Sequence, residues 1–218
     1  MPNKRKELNI GGSDLWYLVG LVTSDGCLSG DKRHIDITSK DYGFLDKLKN
    51  ALGLKNKIGT KNKERPNQAY YLQFSNKNLY EFLVAIGLKP NKSLSLGNLD
   101  VPEKFFVDFL RGLIDGDGSI RSWVHPSNNR EQWSLRIYSG SPKFIHWLRS
   151  TVEKLLLARG RTHKSAGNVW VLKYGKMAAR KIVAQCYYKN CFGLERKIKL
   201  AQECINASVG WGKSKTVI

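Results

Sequence analysis

The feature that most constrains this chain is a nine-residue pattern that occurs twice. Leu18-Val19-Gly20-Leu21-Val22-Thr23-Ser24-Asp25-Gly26 and Leu110-Arg111-Gly112-Leu113-Ile114-Asp115-Gly116-Asp117-Gly118 share glycine third, leucine fourth and Asp-Gly at the close, 92 residues apart. Each copy ends an apolar, helix-like run on a carboxylate. The C-terminal end of a helix already carries partial negative charge, so an aspartate there costs roughly 0.3–1 kcal/mol unless a cation answers it. The pattern asks for a metal, and its duplication asks for two similar halves.

The order of elements around each copy also repeats. Leu15, Leu18, Val19 and Val22 fall on one helical face, with Ser13 as the expected N-cap and Gly26 as the stop. Gly20 leaves that face flat enough for another helix to approach. From Cys27 to Ser39 the period changes to two, which predicts a hairpin turning at Gly30-Asp31. A helix over Asp41 to Leu52, a strand pair within Lys55 to Ser75 and a helix over Asn78 to Ile86 follow. In the second half Pro102 opens the first helix, and a hairpin from Ser119 to Ser139 turns near 126–129. A helix from Pro142 to Leu157, strands within Arg159 to Tyr174 and a helix from Lys176 complete it. Residues 169–175 match 69–75 place for place. The expected fold is mixed α+β, with two pseudo-symmetric αββαββα halves whose antiparallel sheets form a saddle. Residues 1–92 and 101–206 are the halves, 93–100 the linker and 207–218 a flexible tail.

Charge narrows the partner. Thirty-seven Lys and Arg against 18 Asp and Glu leave +19 and a pI near 9.9, an excess that folding does not need and a polyanion explains. The four cysteines, Cys27, Cys186, Cys191 and Cys204, include no Cys-x-x-Cys pair and no histidines at zinc-ligand spacing, so they read as reduced packing thiols. No signal peptide or membrane span is evident, and an intracellular protein of unspecified compartment is expected.

The nonapeptides LVGLVTSDG and LRGLIDGDG resemble the motif of the LAGLIDADG homing endonucleases, specifically their single-chain, two-motif members. Two duplicated halves can meet through the glycine-bearing helices, which brings Asp25 and Asp117 together. As bare carboxylates they would repel, so a divalent cation belongs between them, and oxygen ligands point to magnesium, with manganese as a substitute. Phosphodiester hydrolysis follows, and a pseudo-two-fold site implies a double-strand break. The resemblance makes Asp25 and Asp117 the metal ligands, beside the carbonyls of Ser24 and Gly116. It also makes Lys92 and Lys197 the catalytic lysines, each near the start of its half's closing helix. The chain departs from the pattern at Thr23, where an acidic residue is common, and at Arg111, where a small one is common.

Strands should read the duplex, because a two-stranded ribbon fits the major groove and its alternate residues reach base edges. In the first half His34, Asp36, Tyr71 and Gln73 fall on the polar face. Lys32, Arg33, Lys40, Lys61, Lys63, Arg65 and Gln68 lie at the turns around it. In the second half the corresponding residues are Arg121, Trp123, Gln132, Ser134, Arg136 and Lys173, with Arg130, Arg161, His163 and Lys164 nearby. The two sets differ, so the expected partner is double-stranded DNA with a long asymmetric site, bound by a monomer. Trp133, Tyr70, Trp170 and Phe74 alternate with polar residues and read as core. Two other functions share the basic surface: an intron RNA-binding maturase and a DNA-binding regulator that does not cleave.

Overall fold

The structure, a computed structural model, describes residues 11–61, 68–165 and 167–207. The first half consists of α1 (Gly12–Asp25), β1 (Gly26–Leu28), β2 (His34–Ser39), α2 (Tyr42–Ala51), β3 (Ile58–Lys61), β4 (Ala69–Ser75) and α3 (Lys77–Ala85). The second consists of α4 (Phe106–Asp117), β5 (Gly118–His125), β6 (Arg130–Ser139), α5 (Pro142–Leu156), β7 (Arg161–Lys164), β8 (Trp170–Tyr174), α6 (Lys176–Cys186) and α7 (Glu195–Asn206). This is the expected mixed α+β architecture in two pseudo-symmetric halves, with one helix more than expected.

Each half folds its strands into a four-stranded antiparallel sheet, in the orders β1-β2-β4-β3 and β5-β6-β8-β7. The registers correspond: Ile37 lies opposite Leu72 in the first sheet, and Ile137 opposite Leu172 in the second. Period-two alternation sends Ile35, Ile37, Leu72 and Phe74 to one face, and Leu135, Ile137, Leu172 and Tyr174 to the matching face; all are buried. Trp133 and Phe74 are core, and Tyr70 and Trp170 pack partly buried against it.

Between the sheets α1 and α4 pack along their length. Residues 16–23 of α1 are all buried, wider than the single stripe expected, because α1 is enclosed on every side rather than lying on a surface. Close approach depends on two glycines. A Cβ at Gly20 would overlap the Phe109 carbonyl and lie 2.9 Å from the Leu113 nitrogen; at Gly112 it would overlap the Tyr17 carbonyl and lie 2.8 Å from the Leu21 nitrogen. Backbone therefore touches backbone at matched places, and one buried apolar cluster runs through both halves.

Several local expectations need correction. Gly11, not Ser13, is the N-cap of α1, and no side chain caps it. Pro102 precedes a 3-10 turn at Glu103–Phe105 rather than the first turn of α4. The helix expected from Lys176 is two helices, broken at residues 187–194 so that α7 can turn back toward α4. The segment between the halves is packed: Leu96 and Leu99 are buried, the Asp100 amide donates to Ile86 O at 2.9 Å, and the Ser141 hydroxyl donates to Leu96 O at 2.5 Å. Of the expected tail 207–218, Ala207 is held as the C-cap of α7, with Arg180 donating to its carbonyl at 2.7 Å, and residues 208–218 lie outside the described residues. Among the described residues no helix is long and apolar enough to cross a membrane.

Candidate active site and nucleic-acid interface

Each central helix ends where its sheet begins, so Asp25 and Asp117 are the last residues of α1 and α4, and both are open to solvent. Glycine closes the helix ends on each other here as well. A Cβ at Gly116 would overlap the Ser24 hydroxyl and stand 3.1 Å from Asp25 Oδ2. That hydroxyl donates back into α1, to Leu21 O at 3.0 Å and Gly20 O at 3.2 Å.

Burial pushes the Asp25 carboxyl up to about 6; the charge of Asp117 adds to this, and Lys197, Arg196 and Lys92 oppose it. Asp117 is also raised by burial and is relieved first by Lys92, then by Lys197. Protein atoms crowd both carboxylates although their outer sides still meet water. The leading cation beside each aspartate comes from the other half.

Lys92 and Lys197 are themselves buried, at 7% and 3% exposure. Lys92 Nζ donates to the carbonyl of Gly26, and Lys197 Nζ to that of Gly118, the residues that follow the two aspartates. Lys197 Nζ also reaches Ile114 O at 3.3 Å. Burial lowers both lysines, Lys197 to about 8. The pair is not identical in setting: Lys92 begins a 3-10 turn, whereas Lys197 lies in the first turn of α7 and adds a neighbour, Arg196, that bears on Asp25.

The donors fit a hard divalent cation. Two crowded carboxylates, both raised by burial and one of them also by the charge of the other, are relieved by positive charge between them, and the Ser24 and Gly116 carbonyls adjoin them in sequence. Among the described residues no cluster of three or more His, Cys, Asp or Glu forms a fuller cage. So sparse an oxygen set suits magnesium, which keeps several waters and takes phosphate oxygens from a substrate.

The sequence did not point to the buried polar network beside this site. Asp115, two residues before Asp117, accepts from the Tyr17 hydroxyl at 2.8 Å, the Tyr187 hydroxyl at 2.7 Å and the Leu194 amide at 2.8 Å. The matching Thr23 simply bonds to Val19 O in its own helix, at 2.7 Å. Arg111 is fully buried, bonded to Asp108 Oδ1 (2.8 Å), Phe192 O (2.9 Å) and Cys186 O (3.0 Å), and lies over the rings of Tyr17 and Tyr188. Of the two departures from the nonapeptide pattern, Arg111 thus ties α4 to residues 186–192, while Thr23 makes only a bond within α1. The signal in the sequence was Arg111, a large cation where the pattern usually has a small residue.

The expected groove residues are distributed unevenly. Lys32, Arg33, Lys40, Lys61, Gln68 and Gln73 are exposed, while His34, ion-paired to Asp31, and Tyr71 are half-buried. Lys63 and Arg65 lie outside the described residues. In the second half Arg121, Trp123, Arg161, His163 and Lys164 are exposed, and Arg130, Gln132, Arg136 and Lys173 are half-buried. Ser134 departs from expectation: it is fully buried, opposite Arg121 and flanked by the longer Gln132 and Arg136, so it offers the groove no surface.

Residues 13–87 match the family model of the LAGLIDADG-like domain. An uncharacterized protein of Methanocaldococcus jannaschii is 30% identical over 128 residues, which are 55% of this chain and 44% of that one, so this chain spans less than half of its relative's length. Among solved structures, full-length DUF199/WhiA from Thermotoga maritima aligns with a TM-score of 0.58 at 15% identity, covering 91% of this chain and 62% of that one. The homing endonuclease I-DmoI, solved as mesophilic variants, aligns at 0.56 and 17% identity, covering 87% and 96%. Meganuclease I-SmaMI bound to uncleaveable DNA aligns at 0.59 and 13% identity, covering 88% and 90%. Residues 13–87 are thus a LAGLIDADG-like domain, and the chain as a whole has the two-half fold of the single-chain LAGLIDADG homing endonucleases.

Proposed function

We propose that the chain is a homing-type, site-specific endonuclease: a magnesium-dependent hydrolase that makes a double-strand break in a long, asymmetric DNA target, acting as a monomer. One observation carries this reading. Asp25 and Asp117 sit at the adjoining ends of the two central helices, open to solvent, with the buried ammonium groups of Lys92 and Lys197 held on the carbonyls of the residues that follow them.

A divalent cation held by these carboxylates supplies charge neutralisation at phosphorus and a water acidic enough to attack it. The protein's own groups do the rest. Asp25 and Asp117, with the Ser24 and Gly116 carbonyls, hold the cation. Lys92 and Lys197, fixed to the Gly26 and Gly118 carbonyls, keep positive charge beside the carboxylates, where a scissile phosphate would lie. The two sheets, one in each of the halves 1–92 and 101–206 of this reading, carry the groove contacts. I-DmoI has been solved in complex with DNA and calcium, which supports calcium as the binding-only control.

The test is cleavage of a randomised duplex library with magnesium, beside calcium and an Asp117→Asn variant. A double-strand cut at one long asymmetric site, seen with magnesium and lost in the variant, is the expected result. Selection of a duplex that is never cut would replace this reading with that of a non-cleaving regulator. Selection of no duplex would direct attention to structured intron RNA.

A further inference from the structure

The polar faces of the two sheets can be compared row by row, because their registers correspond. One row crosses each sheet two residues beyond the motif aspartate. In the second half it runs Ser119, Arg136, Lys173 and Arg161, each directly opposite the next on β5, β6, β8 and β7. Three cations therefore stand side by side with no acid between them. Like charges directly opposed destabilise a sheet, so the row makes physical sense only against an anion or a base edge rich in acceptors. The Arg136 Nε has no hydrogen-bond partner among the described residues.

The matching row of the first half carries an acid where the second carries Arg136. It runs Cys27, Asp36 and Gln73 on β1, β2 and β4. Asp36 is an acid on the face that, in this basic chain, should meet phosphates, and its placement is fixed. Its Oδ1 accepts from Thr38 Oγ1 at 3.1 Å and from Lys61 Nζ at 3.2 Å, while Oδ2 has no bond among the described residues. Lys61 offsets part of its charge through Oδ1, and Oδ2 is left to accept from a donor on the duplex. The donors that a major groove offers are the exocyclic amino groups of cytosine and adenine.

We propose that Asp36 and Arg136 are pseudo-symmetric specificity determinants: Asp36 accepts a hydrogen bond from a base amino group in one half-site, and Arg136 donates to a guanine in the other. The proposal rests on the DNA-reading function assigned to the sheets and adds which base chemistry each half takes nearest the cut. Gln73, beside Asp36, can hydrogen-bond the neighbouring base. Lys173 and Arg161 extend the Arg136 row toward the phosphates.

The experiment is binding of a randomised duplex library with calcium in place of magnesium, sequenced for the parent, Asp36→Ala, Asp36→Asn and Arg136→Gln. Thermal unfolding of each variant serves as the folding control. The parent should prefer a base pair with an accessible amino group at one position and guanine at the pseudo-symmetric one. Asp36→Ala should lose about tenfold of its preference at the first position alone, and Arg136→Gln a similar amount at the second alone. Asp36→Asn, which keeps the side chain's shape, should shift the first position toward adenine, the base that asparagine pairs with. Asp36→Ala should also bind non-specific duplex more tightly, because it removes a charge that repels phosphates. An unchanged preference in Asp36→Ala and Asp36→Asn, or an equal loss at every position, overturns the assignment and leaves the DNA-binding reading intact. Failure of the parent to select any duplex overturns the DNA-binding reading itself.

Discussion

Asp25 shows how a residue proposed to hold a cation works against stability. Its carboxyl holds a proton up to about pH 6 in the folded, metal-free protein, whereas in the unfolded chain it loses that proton near pH 4. The folded state therefore binds more protons than the unfolded state between these values, and this contribution to stability is lost as pH rises from about 4 to about 6. Asp25→Asn removes the ionisable group, so the variant should melt higher than the parent at pH 7.5 without metal, and this advantage should shrink at pH 4. It should also cut no DNA. A variant that melts lower than the parent at pH 7.5 would show that the carboxylate is satisfied without a cation. Arg111 is the contrary case, a charge spent on holding the fold. It is sealed between Asp108 and two tyrosine rings, and its sequence neighbours alone gave no reason to bury it.

At the scale of elements, the α1–α4 contact decides where the aspartates stand. The backbones touch at Gly20 and Gly112, so a single methyl group has nowhere to go. Gly112→Ala should therefore lower stability by about 1–3 kcal/mol in urea unfolding, as expected for overpacking a closed contact. It should also lower cleavage by more than the unfolded fraction explains, because spreading the helices displaces Asp25 and Asp117. A fully active, fully stable variant would mean that the helices part more easily than this contact implies. The strands were legible in the sequence because period-two alternation follows directly from the pleat: Ile35 and Ile37 mark β2 as plainly as Leu135 and Ile137 mark β6. The break between α6 and α7 was not legible. Residues 187–194 leave the helix to close over Asp115 and Arg111, which lie more than 70 positions away in the chain.

At the scale of the whole molecule the two halves are alike in plan and unequal in detail. The β5–β6 ribbon, with strands of 8 and 10 residues, outreaches β1 and β2, with 3 and 6. Beyond Ile120 its residues 121–124 are exposed on both faces, so in the proposed complex the second half would reach further along a duplex. The active centre is unequal too, since Arg196 adds charge near Asp25 and its counterpart, Asn91, is neutral. Arg196 is exposed, so Arg196→Ala should fold normally. If it steadies one of the two scissile phosphates, the variant should cut one strand more slowly, and nicked plasmid should accumulate ahead of linear product. Equal rates on both strands would remove Arg196 from the reaction.

The sequence by itself determined the duplication, the strand faces and the two aspartates. These depend on local periodicity, on glycine where backbones must touch, and on carboxylates where a helix end disfavours them. It also placed Lys92 and Lys197 as partners of those aspartates through the family resemblance. Only the tertiary structure decided that each lysine grips the carbonyl after its own half's aspartate while its charge bears on the other half's. Only the tertiary structure buried Ser134, sealed Arg111 beneath Tyr17 of the opposite half, and set Asp36 at the place in its sheet that Arg136 holds in the other. Each of these depends on which distant segments meet across the pseudo-two-fold axis, and a local pattern of residues carries no record of that.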